Sequence, residues 1–189
     1  MKKLFACGLA ALSLLGAGCV FSRNDYVENA EFDLELPKQE LNAPAVRVGV
    51  FKNLSGSDRR IMVRRGDGQV VPLEYQRWRM SPELLLQRCI YGAFEVKADN
   101  AEKTSRLNAV IYRFEFDERD NKAHLSVDFT LVRHPEGSRQ VRVDVAVPVR
   151  VSDDLGAARA AAMSECARIA VEKLSAAMNA KAVSKVDKK

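Results

Sequence analysis

Between Lys122 and Val151 apolar and polar residues alternate with a period of two, in two long runs. Ala123, Leu125, Val127, Phe129 and Leu131 interleave with His124, Ser126, Asp128 and Thr130. Val141, Val143, Val145, Val147, Val149 and Val151 interleave with Gln140, Arg142, Asp144, Ala146, Pro148 and Arg150. Successive side chains of a strand point to opposite faces, so each run predicts a strand with one buried and one wet face. Such one-sided strands belong to antiparallel sheets rather than to doubly covered parallel ones. Leu107–Phe116 is apolar on both faces at its start, as a central strand would be, and turns at 117–121 and 135–138 join the three strands into a meander. Pro148 lacks the amide hydrogen a ladder needs, which places the last strand at an edge.

The remaining segments fit around this meander. Glu31–Leu36 alternates as a short strand before Pro37 and Pro44 interrupt it, and Val46–Phe51 is the next strand. Ile61–Arg65 and Gln69–Tyr75 flank Gly66-Asp67-Gly68, whose glycines permit the positive φ of a tight hairpin. Ser81-Pro82-Glu83 opens a helix: Ser caps the free amides, Pro is pre-set for the first turn, and Glu complements the dipole. Its apolar face gathers Leu85, Leu86, Cys89, Ile90 and Ala93, and it ends near Gly92–Phe94. Ser152-Asp153-Asp154 caps a second helix that runs to about Met178. There Met163, Cys166, Ala167, Ala170 and Leu174 share one face, while Ser164, Glu165, Arg168, Glu172 and Ser175 share the other. Lys181–Lys189 carries four lysines without apolar periodicity and reads as a frayed basic tail. With no βαβ alternation, the expected fold is α+β: a mostly antiparallel sheet of one hairpin and a three-strand meander, two helices on one face, and a single domain over residues 31–180.

The N-terminus is an address. Met1-Lys2-Lys3 is cationic, and Leu4–Leu15 is apolar but shorter than the ~20 residues a membrane span requires, so residues 1–18 read as an export signal. Gly16-Ala17-Gly18-Cys19 resembles the bacterial lipobox, with Gly16 where Leu is favoured. That resemblance implies cleavage before Cys19, an N-acyl diacylglycerol on Cys19, and a lipidated tether over residues 19–30. Several acyl chains at ~0.8 kcal/mol per buried methylene make a stable anchor where a single chain holds only marginally. Val20, in the place where Asp would retain a lipoprotein in the inner membrane, implies the outer membrane. Cleavage leaves 171 of the 189 residues, enough for one domain with a real core. With Lys2 and Lys3 gone, the formal charge falls from +5 to +3, too mild to argue for nucleic acid.

The order of parts is specific. A lipobox, a short strand with Phe32 and Leu34, a Val46–Val50 strand, a hairpin ending in Tyr75-Gln76-Arg77-Trp78 and an immediate Ser-Pro-Glu helix resemble the ABC-type transport auxiliary lipoproteins, the paraquat-inducible-type intermembrane transport lipoproteins. The resemblance implies a non-catalytic partner of MCE-domain periplasmic proteins. These act with an inner-membrane permease and ATPase to move phospholipid or other hydrophobic molecules between bacterial membranes. The lipoprotein is then expected to tether or complete the conduit at the outer membrane, and a homo-oligomeric ring is left open. The other reading of the same anchor and domain is a structural or assembly lipoprotein of the outer membrane, or a secretion scaffold component.

No Gly-rich phosphate loop, nucleophile elbow or spaced carboxylate pair is present, which argues against an enzyme. No cofactor is expected beyond the lipid, and His124 and His134 read as solvated surface residues with no metal-ligand spacing around them. Once Cys7 is discarded and Cys19 acylated, Cys89 and Cys166 remain, each on the buried face of its helix. They either form a disulfide in the oxidising periplasm or stay as two small buried hydrophobes. Arg59, Arg60, Arg64, Arg65 and Arg77 form a basic segment that either contacts lipid phosphates or an acidic partner, or is a solvated face. Trp78 is either a lid on the core or an anchor facing a partner, and the lid is favoured.

Overall fold

A computed structural model describes residues 28–37, 41–98, 104–133, 135 and 137–186. Among these, seven strands form one sheet: β1 (Ala30–Phe32), β2 (Val46–Asn53), β3 (Arg60–Arg64), β4 (Val70–Trp78), β5 (Ser105–Asp117), β6 (Lys122–Arg133) and β7 (Gly137–Pro148). Two helices, α1 (Pro82–Ala93) and α2 (Leu155–Val186), complete the α+β fold. The strand order is β1-β4-β3-β5-β6-β7, with β2 also on β5. The meander β5-β6-β7 and the hairpin β3-β4 are antiparallel, as their patterns predict. The sheet is nevertheless mixed, because β1 runs parallel to β4, and β2 and β3 both run parallel to β5.

β5 organises the sheet. β2 pairs with its first half, from Ser105 to Ile111, and β3 with its end at Phe116 and Asp117, so two strands lie end to end along one edge. The gap is filled by Leu54–Arg59. Leu54 donates its amide to the Ile111 carbonyl at 2.8 Å, the Asn53 side chain accepts from the Ser55 amide at 3.0 Å, and the Ser57 hydroxyl donates to the Arg60 carbonyl at 2.8 Å. Opposite the gap, a bulge at Tyr112 shifts the register of β5 against β6. The extra residue changes which parity faces inward: Leu107, Ala109 and Ile111 are buried before it, Phe114 and Phe116 after it.

On β6 and β7 the inward set is the alternating one, with Ala123, Leu125, Val127, Phe129, Leu131, Val143 and Val145 buried, and Val149, just past β7, buried as well. α2 packs on β6 and β7, α1 on β2 and β5, the two helices touch, and all contribute to one apolar cluster. β7 is an edge strand. Val149 donates to Asn121 beyond the ladder, so odd residues of β7 bond inward to β6 and even ones face outward. Pro148 therefore sits where its missing amide costs no ladder bond.

The ends of several elements depart from the sequence reading. The strand expected at Glu31–Leu36 stops at Phe32, because Leu34 turns into the core and Glu35 gives its amide to Ser164 Oγ at 3.0 Å. Ser81 precedes α1 in an extended conformation without a side-chain cap, while the α2 cap is confirmed: Asp154 Oδ1 accepts the Ala157 amide at 2.9 Å. Of the two hairpin glycines only Gly68 takes a positive φ, 89°. α2 continues in helix to Val186, so the frayed tail expected from Lys181 onward is helical through that residue. Ser164 and Ser175, which the helical spacing groups with Glu165, Arg168 and Glu172 on the other face of α2, are buried. Ser164 tolerates this by donating to the Ala160 carbonyl at 2.8 Å while accepting from Glu35.

Candidate functional site

Cys19, the signal segment and residues up to 27 lie outside the described residues, as does His134. The structure does place the strand through which a tether from Cys19 would enter the domain. β1 pairs with β4 from Ala30↔Gln76 to Phe32↔Trp78. Around it the basic segment closes as a clasp. Arg59 Nη2 and Arg77 Nε lie 3.1 and 3.3 Å from Glu31 Oε1, and Arg59 Nε donates to the Trp78 carbonyl at 3.2 Å. Two residues beyond Glu31, Asp33 accepts from Arg88 of α1 at 2.8 Å, with Arg79 at 4.0 Å. Phe32 packs on the first turn of α2 at Gly156, where a Cβ would collide with its ring.

The five arginines and Trp78 singled out in the sequence do not form one surface. Arg59 and Arg77 serve the clasp. Arg60 turns to Asp58 at 3.2 Å, and Asp58 is held down to about 2 because its carboxylate accepts the Arg60 and Arg59 amides. Arg65 is exposed at the hairpin turn. Arg64 points across the sheet to Glu115 at 2.8 Å. Trp78 is fully buried, edge-on to Phe114 with centroids 5.3 Å apart and stacked on Phe116 at 6.3 Å. As a lid on the core it has no face to offer a lipid or partner, which corrects its place among the candidate contacts.

The sheet face opposite the helices carries a charged network that no sequence motif announced. Glu115 Oε1 accepts from Arg64 and from Arg113 at 2.6 Å, and Asp117 accepts from Arg113 at 2.9 Å and Arg119 at 2.6 Å. Both carboxylates are nearly buried, and the Arg119 guanidinium, helped by Arg113, holds the Asp117 carboxyl well below the usual carboxylate range. His124 is less solvated than expected, with a side chain only 15% exposed. Because Arg113 can only donate to Nδ1, the ring proton sits on Nε2 and is given to Asp120 at 3.0 Å. Asp117, Asp120 and His124 bring ligand atoms within 4.8 Å of one another, but two guanidiniums already neutralise Asp117. Tyr112 lies under Arg142, whose guanidinium carbon is 5.3 Å from the ring centroid.

Cys89 and Cys166 are free and buried. Burial pushes the Cys89 thiol up to about 11 and the Cys166 thiol up to about 12, and Cys166 Sγ donates to the Ala123 carbonyl at 3.3 Å. Thiols in such surroundings are not nucleophiles. Between residues 35–37 and Leu41 on one side and α2 on the other lies a groove of about 620 Å³. Leu36, Pro37, Leu41, Ala161 and Val171 line it together with the polar Glu35, Ser164, Glu165, Arg168 and Glu172, and Arg168 bonds both Glu165 and Glu172. Among the described residues no helix is long and apolar enough to cross a membrane.

No curated protein matches the chain. Solved structures resemble it, among them two at low identity. One is the crystal structure of an uncharacterized protein, 12% identical with a TM-score of 0.59, covering 78% of this chain and 99% of its own. The other is a Xanthomonas campestris protein of the DUF330 family, 16% identical with a TM-score of 0.57, covering 82% of this chain and 98% of its own. At such identities the likeness is one of fold. The model of the family described as ABC-type transport auxiliary lipoprotein component matches residues 54–179, two thirds of the chain. The chain runs through the whole of that match, from the loop after β2 to the last buried turn of α2, and it belongs to the ABC-type transport auxiliary lipoprotein component family.

Proposed function

We propose that the protein is a lipid-anchored, non-catalytic accessory of an intermembrane transport system, fixed to the outer membrane through Cys19 and engaged with an MCE-domain partner. Through that partner it serves an inner-membrane permease and ATPase that move hydrophobic molecules. The observation that carries this reading is the junction between a lipobox-like sequence and β1. Eleven residues beyond Cys19 the chain is paired along β4 and gripped by Arg59, Arg77 and Arg88. A load on the anchor is then borne by the sheet rather than by a loose end. At ~3.6 Å per residue, the intervening chain lets the domain stand at most about 40 Å from its anchor. The family membership supports a transport role; the clasp supports one that holds position.

Affinity capture of the full chain from native membranes in mild detergent, with mass spectrometry of bound proteins and lipids, tests the proposal. The expected result is co-purification of an MCE-domain protein together with a permease and an ATPase. Recovery without any of these contradicts it.

A further inference from the structure

β7 ends the sheet. Among the described residues no strand pairs along its outer side, and its ladder to β6 runs from Lys122↔Pro148 to Arg133↔Gly137 without a bulge. The outward amides and carbonyls belong to Ser138, Gln140, Arg142, Asp144 and Ala146, all exposed. A straight row of unpaired backbone groups recruits another strand, which is why edge strands are usually short, bulged or covered. Here Lys173 reaches one outward carbonyl, that of Asp144, at 3.5 Å, and Pro148 blunts only the end. The flank of α2 over this edge is marked by Lys173 and by Ala177, whose carbonyl accepts from Arg139 at 2.6 Å. Half-buried Ile169 and the exposed Ala176 and Ala180 lie on that flank.

We infer that β7 pairs antiparallel with β7 of a second copy of this chain, about a two-fold axis at Val143 that joins two sheets into one. The strand's own sequence selects this partner and this register. About Val143 it is complementary to its reverse: Arg142 falls opposite Asp144 of the second copy, Val141 opposite Val145, and Gln140 opposite Ala146. An axis one residue away, at Arg142 or at Asp144, would set like charges face to face. An extended segment of an unrelated protein would not require this symmetry. The charges choose the register rather than supply the affinity, since Arg142 already bonds Asp128 at 3.4 Å and its own Asp144 at 3.1 Å in pairs open to water. Affinity comes from the backbone, where Gln140, Arg142, Asp144 and Ala146 each exchange both N–H···O bonds with the residue opposite. Lys173 yields its long bond on the Asp144 carbonyl to the amide opposite. On the helix side, half-buried Val141 meets Val145 of the second copy and widens the apolar layer. With strands ~4.8 Å apart, two α2 helices seated over β6 and β7 lie about 10 Å from each other, an ordinary packing distance, which covers the apolar flank.

The test uses the full-length chain in mild detergent. An Arg142→Cys chain and a differently tagged Asp144→Cys chain are mixed and oxidised. Facing residues of a hydrogen-bonded antiparallel pair have Cα atoms ~5.5 Å apart, within disulfide reach. The two native domain thiols are buried and leave the background low. The expected product is a disulfide-linked pair carrying both tags, formed several-fold more than by either variant alone. Ala146→Pro, placed in both chains, removes an outward amide and no bond to β6, as Pro148 does naturally, and is expected to lower that product several-fold. Gln140→Pro does the same at the other end of the pair, so one folded proline variant is enough. Circular dichroism confirms that each variant is folded. Absence of the mixed disulfide from folded chains, equal linking by the single variants, pairing that survives a folded proline variant, or capture of a different protein at these positions overturns the inference.

Discussion

On β5, Leu107, Ala109, Ile111, Phe114 and Phe116 turn toward the helices, while Arg113, Glu115 and Asp117 turn the other way; the apolar residues and the two carboxylates are almost equally hidden from water. The means differ. The apolar face is buried because α1, α2 and Trp78 cover it, and its stability grows with the area removed from water, about 25 cal/mol per Å². The charged face is buried because each carboxylate lies within 3 Å of a guanidinium, and desolvation consumes most of that Coulombic gain. Hydrophobic contacts therefore supply the net stability, whereas the ionic ones fix which strands lie side by side and lose heavily when only one partner is removed.

Substitutions on the two faces sharpen this contrast. Trp78→Ala empties the space beside Phe114 and Phe116 and is expected to cost ~3–5 kcal/mol in urea unfolding, the largest single effect. Glu115→Ala strips Arg64 and Arg113 of their shared acceptor and is expected to cost ~2–3 kcal/mol by the same measurement. Replacing Arg64, Arg113 and Glu115 together with apolar residues of similar volume should cost less than the sum of the three single changes, with Arg119 still holding Asp117. A triple variant as damaged as the sum of single changes would break the comparison.

Titration separates the faces further. On the helix side, burial raises both thiols, Cys89 to about 11 and Cys166 to about 12, above the ~8.5 of an unfolded cysteine. Their contribution is complete below that unfolded value and is lost as pH rises toward the folded ones, so the urea midpoint falls above about pH 9, and Cys89→Ala with Cys166→Ala flattens the decline. On the charged side the sign is opposite. Asp117 is depressed, so its contribution holds above the ~3.9 of an unfolded carboxylate and is lost only as pH drops below it. The smallest effect belongs to the clasp, where Glu31→Gln removes half-exposed pairs with Arg59 and Arg77 and is expected to cost ~0.5 kcal/mol, less in high salt.

The same contrast separates what could be read from the sequence. Period-two runs fix the inward residues of β6 and β7, since any other register would expose them, and the apolar stripe of α1 follows from helical spacing. The charged face is legible only in part: Arg113, Glu115, Asp117 and Arg119 lie within seven consecutive residues, but Arg64 reaches Glu115 only because β3 lies parallel to the end of β5, some fifty residues away, and no local pattern specifies that neighbour. Tyr112 defeats parity counting on β5: one extra residue puts Ile111 and Phe114 on the same side. The Arg59–Arg77 cluster looked like a surface because a sequence shows charges but not partners; folded, it divides among Glu31, Asp58 and Glu115. Asp120 and His124 carried a signal that could have been used, since a turn separates them by four residues. Cys19 rests on sequence alone.

The claim on which the transport reading depends is that this domain is fastened to a membrane. Intact mass spectrometry of the protein purified from isolated envelopes tests it most directly. The account predicts a chain that begins at Cys19 and carries the added mass of a diacylglycerol and an amide-linked acyl group. An unmodified processed chain, recovered from the soluble periplasmic fraction, would contradict it.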